Sequence, residues 1–281
     1  MINIQCVLKN AINLLEATSP SAQLDAEVLL AHALNTSRTF LYTHPEKPLE
    51  AASQKAYEYL ITQRAEGWPI AYLTGCREFW SLPLRVSKNT LIPRPATELL
   101  VEVALSLLKK IKNPSLIDLG TGSGAIALAL AVEQPTWNIM ASDISQGAID
   151  IAKDNTAKLG LSNVHCYISD WFADLPVQQF NAILSNPPYI ADNDPHLNQG
   201  DLRFEPQNAL ASGVDGLKSL TYLIKASYDH LLPNGLLLLE HGFDQRLAVS
   251  NLLSDNGYER IGCWQDTEGH DRVSAGWRGN Y

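Results

Sequence analysis

Asn186-Pro187-Pro188-Tyr189 brings together residue types suited to one chemical task. The two prolines hold φ at about −65° and supply no backbone N–H, so the segment is stiff and poor in donors. Their carbonyls keep both lone pairs, and Asn186 adds a side-chain carbonyl. Tyr189 contributes a flat apolar face with a polar tip. Such a loop suits a planar NH₂ group, which needs two acceptors for its hydrogens and a surface to lie against. Asn-Pro alone also reads as an ordinary turn after a strand. The preceding run Phe180 to Ser185 is apolar enough to be that buried strand.

A second motif lies upstream. Ser115 to Leu119 reads as a strand, Gly120-Thr121-Gly122-Ser123-Gly124 follows at once, and Ala125 to Val132 is rich in helix formers. Strand, glycines and helix in that order form the context of a nucleotide-binding loop, where missing Cβ atoms let backbone approach a ligand. The spacing is G-x-G-x-G, and no Gly-Lys-Ser/Thr follows. No Lys or Arg occurs between Lys112 and Lys153, so nothing nearby in sequence neutralises a pyrophosphate. Close packing of helix on strand is the plainer use of these glycines. Asp143 closes the next apolar run, where a carboxylate after a second strand meets ribose hydroxyls. It could equally cap the helix beginning near Ser145. With Asp118 ending the first strand, two carboxylates flank a phosphate-free glycine loop. S-adenosylmethionine, which has a ribose, a sulfonium and an amino group, fits that pattern.

These segments resemble the Rossmann-like S-adenosylmethionine-dependent methyltransferases that act on planar nitrogens. Further stretches narrow the resemblance: Gly67 to Gly75, Arg77 to Leu84, Thr90-Leu91-Ile92-Pro93-Arg94-Pro95, Arg203-Phe204-Glu205-Pro206 and Gly269-His270-Asp271-Arg272-Val273. Across nearly the whole chain the sequence is similar to the peptide chain release factor glutamine methyltransferases of the HemK or PrmC type. One departure is Ala96, where that family usually has Asp, so no carboxylate role attaches to position 96. The resemblance implies S-adenosylmethionine as methyl donor, no metal, and class 1 peptide chain release factors as protein substrate. The methyl group would go to the glutamine of their Gly-Gly-Gln motif. It implies Asn186 and Pro187 as catalytic residues and Asn186, Pro187, Pro188 and Tyr189 as the substrate site. Gly120, Thr121, Gly122, Ser123, Gly124, Asp143, Trp171 and Asn186 would meet the cofactor; Trp171 also reads as an ordinary core tryptophan. A glutamine methyltransferase for a ribosomal protein, or a nucleic-acid amine methyltransferase, is the second reading. A non-catalytic binding domain is the third.

Composition agrees with an enzyme of the cytoplasm. With 281 residues, 46% of them hydrophobic, the chain can bury ample cores. Four dispersed cysteines without Cys-x-x-Cys argue for a reducing compartment and against a zinc site. The seven histidines show no metal-binding spacing. The first residues lack a signal peptide's basic and apolar regions, and no run is long enough to span a membrane. Residues 1–90 hold eight basic and eight acidic residues, against 13 and 22 in 91–281, so the entire net charge of −9 falls in the catalytic part. A phosphate-gripping enzyme would show a basic footprint there, so direct nucleic-acid binding is not expected.

The elements that must position these residues follow from periodicity. Asp25 to Leu34 and Pro48 to Glu66 read as helices, with Gly67 as a stop. Trp80 to Val86 reads as a short hairpin. Beyond residue 95, helices are expected at 96–111, 124–133, 146–159, 215–231 and 244–255. Strands are expected at 115–119, 137–142, 163–168, 180–185 and 235–240, with two more at the end. Such alternation predicts an α/β doubly wound parallel sheet, and the resemblance implies seven strands with the last antiparallel. The expected domains are a helical substrate-recognition domain over 1–75, a hairpin linker over 76–94 and the methyltransferase domain over 95–281. The loop from Ile190 to Gly213 is too long to be slack and reads as a functional wall.

Overall fold

The computed structural model describes residues 2–280. Met1 and Tyr281, the outer bounds of the expected domains, lie outside the described residues. The chain forms two units. The first runs to Cys76 and takes in Gln199–Phe204; the second holds Arg77–Asn198 and resumes at Glu205.

The first unit is helical: α1 (Ile4–Leu15), α2 (Ala22–Ala33), α3 (Arg38–Thr43), α4 (Ala51–Ala65) and α5 (Ile70–Thr74). Ile4, Val7, Ala11 and Leu15 recur at helical spacing and bury one face of α1. They pack with Ala26, Leu29 and Leu30 of α2 and with Tyr57 and Ile61 of α4. Asn3 caps α1 by accepting from the Cys6 N–H at 2.9 Å. Asp25, buried in α2, accepts from the Ser19 and Ser21 hydroxyls at 2.7 and 3.0 Å and from Arg64 Nε at 2.7 Å. The helix expected from Pro48 begins only at Ala51, because Pro48 is extended and pairs with Asn3 in an isolated bridge. The segment Gln199–Phe204 belongs to this unit. Arg203 Nη2 donates to the Glu66 carbonyl at 2.8 Å, and the Phe204 ring lies 4.8 Å from that of Trp68. Gly67 holds φ +99°, a left-handed backbone that other residues adopt only with strain, and the Arg203 guanidinium lies against its bare Cα.

The second unit opens with a hairpin, β1 (Cys76–Phe79) and β2 (Leu82–Arg85). The hairpin expected from Trp80 is therefore displaced: Trp80 and Ser81, both at positive φ, form its turn. A single 3-10 turn over Pro95–Thr97 precedes α6 (Glu98–Leu108), so the helix expected from 96 starts two residues later. Then come β3 (Ser115–Leu119), α7 (Ala125–Glu133), β4 (Asn138–Asp143), α8 (Gln146–Lys158), β5 (Val164–Ile168), β6 (Phe180–Ser185), α9 (Lys218–His230), β7 (Leu231–Glu240), α10 (Arg246–Asp255), β8 (Tyr258–Gln265) and β9 (Asp271–Arg278). The sheet order is β5-β4-β3-β6-β7-β9-β8, parallel except for β9, which runs antiparallel to both neighbours. The central strands are buried on both sides and read as nearly continuous apolar runs. Their alternation sorts residues by face. Leu116, Ala182, Leu184, Leu236 and Leu238 meet α6, α7 and the hairpin. Ile117, Ile183, Leu237 and Leu239 meet α9 and α10. Among the described residues no helix is long and apolar enough to cross a membrane.

One buried side chain ties hairpin, helix and glycine loop together. Asn155 of α8 accepts from the Arg85 N–H at 2.7 Å and donates to the carbonyls of Arg85 and Ser123 at 3.0 and 2.9 Å. Asn155→Ala strands all three backbone groups, and each buried orphan costs roughly 1–3 kcal/mol. The expected loss of at least about 2 kcal/mol is measured as a lower midpoint in urea unfolding; an unchanged midpoint refutes this role.

Candidate functional site

Strand order reverses at β3, with β4 on one side and β6 on the other. In open parallel sheets a crevice forms at the carboxyl ends of the strands beside such a reversal. The glycine loop leaves β3 there, Asp143 ends β4, and Asn186 follows β6. They share a cavity of about 840 Å³, within the usual range for small-molecule sites.

Of the residues expected from sequence, Gly120, Gly122, Asp143, Trp171, Asn186 and Pro188 line the cavity. At Gly122, with φ +56°, a Cβ would point into open space, so the bare backbone forms a cradle there. Its N–H donates to Asp143 Oδ2 at 2.9 Å, and the Ser145 N–H donates to Oδ1 at the same distance. Ser145 is the residue that caps α8, through its own hydroxyl. Asp143 thus fastens the glycine loop to the start of α8 while facing the cavity. Burial raises its carboxyl above the ordinary range, and the N–H donors of Ser145, Gly122 and Ile144 counter that rise. Gly124 serves packing: its φ is +88°, and a Cβ would lie 2.9 Å from Leu128 Cδ1.

Thr121 and Ser123 are buried and are not among the lining residues. The Thr121 hydroxyl donates instead to Asp118 Oδ2 at 2.6 Å. Asp118 is fully buried and its Oδ1 has no hydrogen-bond partner among the described residues. Burial pushes its carboxyl up to about 7 against the Thr121 hydrogen bond, with the neighbouring Asp143 charge adding to the rise. Trp171 holds a left-handed backbone at φ +51°, uncommon for a bulky residue and typical of functional sites. The Ser169 hydroxyl donates to its carbonyl at 2.9 Å, and its ring centroid lies 6.3 Å from that of Tyr222.

Asn186 Nδ2 donates to Thr97 Oγ1 at 3.1 Å, leaving Oδ1 as the end able to accept from a bound group. Pro187 is buried, and Tyr189 turns away from the cavity to donate to Glu240 Oε1 at 3.3 Å. The loop 190–213 is pinned at both ends. Ile190 bridges to Ala211, and the Gly213 N–H donates to Asp192 Oδ1 at 2.9 Å. Asp192, Ala211, Ser212 and Gly213 form part of the cavity wall. Glu205, buried, accepts from the Ile92 N–H at 2.9 Å and from Arg94, which joins the two proline-containing motifs. Sequence reasoning missed Tyr222, which has no motif around it. It also missed Thr97 and Glu240, although a glutamate closing the run Leu236–Leu239 at a strand's carboxyl end was a visible signal.

Two family models match, the PrmC N-terminal domain over residues 7–75 and the methyltransferase small domain over residues 93–205. A release factor glutamine methyltransferase from Shewanella oneidensis is 47% identical over 94% of this chain and 93% of its own length. Its counterpart from Escherichia coli is 46% identical over 96% of each chain. The crystal structure of a methyltransferase from Pyrococcus furiosus matches 79% of this chain and 98% of that one at 18% identity, with a TM-score of 0.54, which supports the fold.

Asp118 gives the site a pH signature. Its folded-state value is raised from the ordinary 3.8 to about 7, so the stability it contributes is complete below 3.8 and is lost as pH rises through about 7. Asp118→Asn keeps the hydrogen bond from Thr121 and removes this decline, worth at most about 4 kcal/mol. Urea midpoints at pH 5 and pH 8 should therefore differ less in the variant than in the parent. An equal difference in both proteins overturns the assignment.

Proposed function

The chain belongs to the release factor glutamine methyltransferases, and from that premise we propose which of its residues hold the donor and the acceptor. The observation that carries the reading is the convergence of Gly120, Gly122, Asp143 and Asn186 on one cavity at the switch point of the sheet.

The residues fit S-adenosylmethionine. The exposed backbone of Gly122 admits a ligand close by, Asp143 offers a carboxylate to ribose hydroxyls, and the Trp171 and Tyr222 rings supply flat apolar walls. Bound there, S-adenosylmethionine supplies a methyl group on a positively charged sulfur, which keeps the C–S electron pair as the nitrogen–carbon bond forms. The acceptor is the side-chain amide of the glutamine in the Gly-Gly-Gln motif of class 1 release factors. Its nitrogen is a weak nucleophile because its lone pair is delocalised into the carbonyl. Asn186 Oδ1 and the Pro187 carbonyl each accept one N–H, which fixes the nitrogen and raises its electron density. Pro188 forms a rigid wall beside it. After transfer the nitrogen carries a surplus proton, which leaves along the hydrogen bond to Asn186 Oδ1 and passes to water in the open cavity. Positioning and preorganised acceptors are the enzyme's main contributions.

The helical unit is the part that recognises the release factor. Leu14, Leu24, Tyr42 and Tyr59 are all exposed on it, and large apolar and aromatic side chains of that kind favour protein contacts. The cytoplasm, where release factors act, is the place of the reaction.

Two outcomes test the assignments. Asp143→Ala removes a charged acceptor, and hydrogen bonds to charged groups contribute about 1.5–3 kcal/mol, so affinity for S-adenosylmethionine should fall about tenfold or more. Calorimetric titration of the folded variant checks this, and unchanged affinity rejects the ribose role. Asn186→Ala should slow single-turnover methylation of release factor by ~10²–10³, the scale for removing one preorganised polar contact. Binding of S-adenosylmethionine should change far less. A near-normal rate at saturating donor leaves Asn186 as a turn residue only.

A further inference from the structure

An asparagine amide has two ends of nearly equal size, and only one of them accepts hydrogen bonds. For Asn186 Oδ1 to face an incoming NH₂ group, something must hold Nδ2 on the other side. The partner in the structure is the Thr97 hydroxyl, in the 3-10 turn before α6. A hydroxyl both donates and accepts, so by itself it tolerates either end of the amide: it can accept from Nδ2 or donate to Oδ1. Thr97 is buried at 4% exposure, and its hydroxyl is close enough to Glu240, the last residue of β7, to act as a donor that holds the Glu240 carboxyl down. A carboxylate only accepts. When it accepts the Thr97 O–H hydrogen bond, the threonine oxygen has only its lone pairs left to offer, and the amide must present Nδ2.

Glu240 is 1% exposed. Tyr189, three residues beyond Asn186 in the same loop, donates its hydroxyl to Glu240 Oε1 at 3.3 Å. Oε2 is buried and has no hydrogen-bond partner among the described residues. Burial pushes the carboxyl upward from its ordinary range. The hydrogen bonds from Thr97 and Tyr189 and the charges of Arg272 and Arg94 work the other way. The two arginines are themselves anchored, Arg272 by Asp266 at 3.0 Å and Arg94 by Glu205. A carboxylate kept at such a depth, at the end of a strand of leucines, costs stability unless hydrogen bonds and opposite charges offset its lost hydration.

We propose that Glu240 and Thr97 are positioning residues which set the orientation of the Asn186 amide, Glu240 accepting the hydrogen bond of the Thr97 hydroxyl so that Asn186 Oδ1 faces the acceptor nitrogen. Tyr189 extends the same anchor to the far end of the acceptor loop. The inference rests on the assignment of Asn186 as an acceptor-holding residue.

Thr97→Val keeps the shape of the side chain and removes the hydroxyl, and Thr97→Ser retains it. In single-turnover assays with release factor at saturating S-adenosylmethionine, Thr97→Val should lose about tenfold or more in rate, since small misplacements near reacting groups cost on the order of 10²-fold. Its KM for release factor and its donor affinity should stay within about twofold, and Thr97→Ser should regain most of the rate. Glu240→Gln, whose amide both donates and accepts, should show the same loss and serves if Thr97→Val does not fold. Because both act through Asn186, neither change should slow the Asn186→Ala protein further. A normal rate in folded Thr97→Val and Glu240→Gln overturns the proposal, as does a full additional loss on top of Asn186→Ala. A normal rate in Asn186→Ala instead sinks the acceptor assignment on which it rests.

Discussion

The reversal of strand order at β3 is the constraint from which the rest of this structure follows. Parallel strands all end at the same edge of the sheet, and helices that cover both faces cannot also cover the gap where successive connections diverge. The loops leaving β3, β4 and β6 are therefore thrown together, whatever they contain. The chain has placed its unusual residues in those three loops: the glycines, Asp143, and the asparagine with two prolines. Fixing their backbones is then a local matter. Asp143 secures the glycine loop through the Gly122 N–H, and Asn155 reaches its far side through the Ser123 carbonyl. The hairpin β1–β2 is joined to the same asparagine, so a strand pair outside the main sheet contributes to the rigidity of the cavity floor.

Much of this was legible because local pattern and tertiary role coincide. Continuous apolar runs of five or six residues gave β3, β4 and β6 close to their true bounds, since burial on both faces demands them. By contrast, β7 starts at Leu231, four residues before its expected bound. The glycine loop and the proline pair stood out because each violates the composition of its neighbours. What stayed hidden depends on partners remote in sequence. Thr97 lies 89 residues from Asn186, and Asn155 lies 70 from Arg85; neither residue type announces such a bond. The hairpin expected over Trp80 to Val86 is displaced because Trp80 and Ser81 adopt positive φ and make the turn, which leaves Cys76–Phe79 as its first strand. Thr121 illustrates the opposite limit. It sits within the glycine motif, yet its hydroxyl is spent on Asp118 inside the protein.

Carboxylates are handled in two distinct ways. Asp25 and Glu205 are buried but surrounded by donors, from hydroxyls, a guanidinium or a backbone N–H, which is the usual condition for keeping charge out of water. Asp118 and Glu240 are buried deeper and each retains an oxygen without a hydrogen bond among the described residues. Both of the latter lie at the carboxyl ends of central strands, Asp118 in β3 and Glu240 in β7.

The closure of the loop 190–213 has a consequence for how such an enzyme can diversify. Its two ends are joined by the Ile190–Ala211 bridge and the Asp192–Gly213 hydrogen bonds, so the stretch between behaves as an appendix with a sealed base. The stretch is tied down again inside its span, where Glu205 accepts from the Ile92 N–H and from Arg94, and where Pro206, Asn208 and Ala209 line the cavity. Room for change is therefore confined to the stretches between these anchors, and an insertion at Glu205 itself would release the Ile92 N–H and Arg94 together.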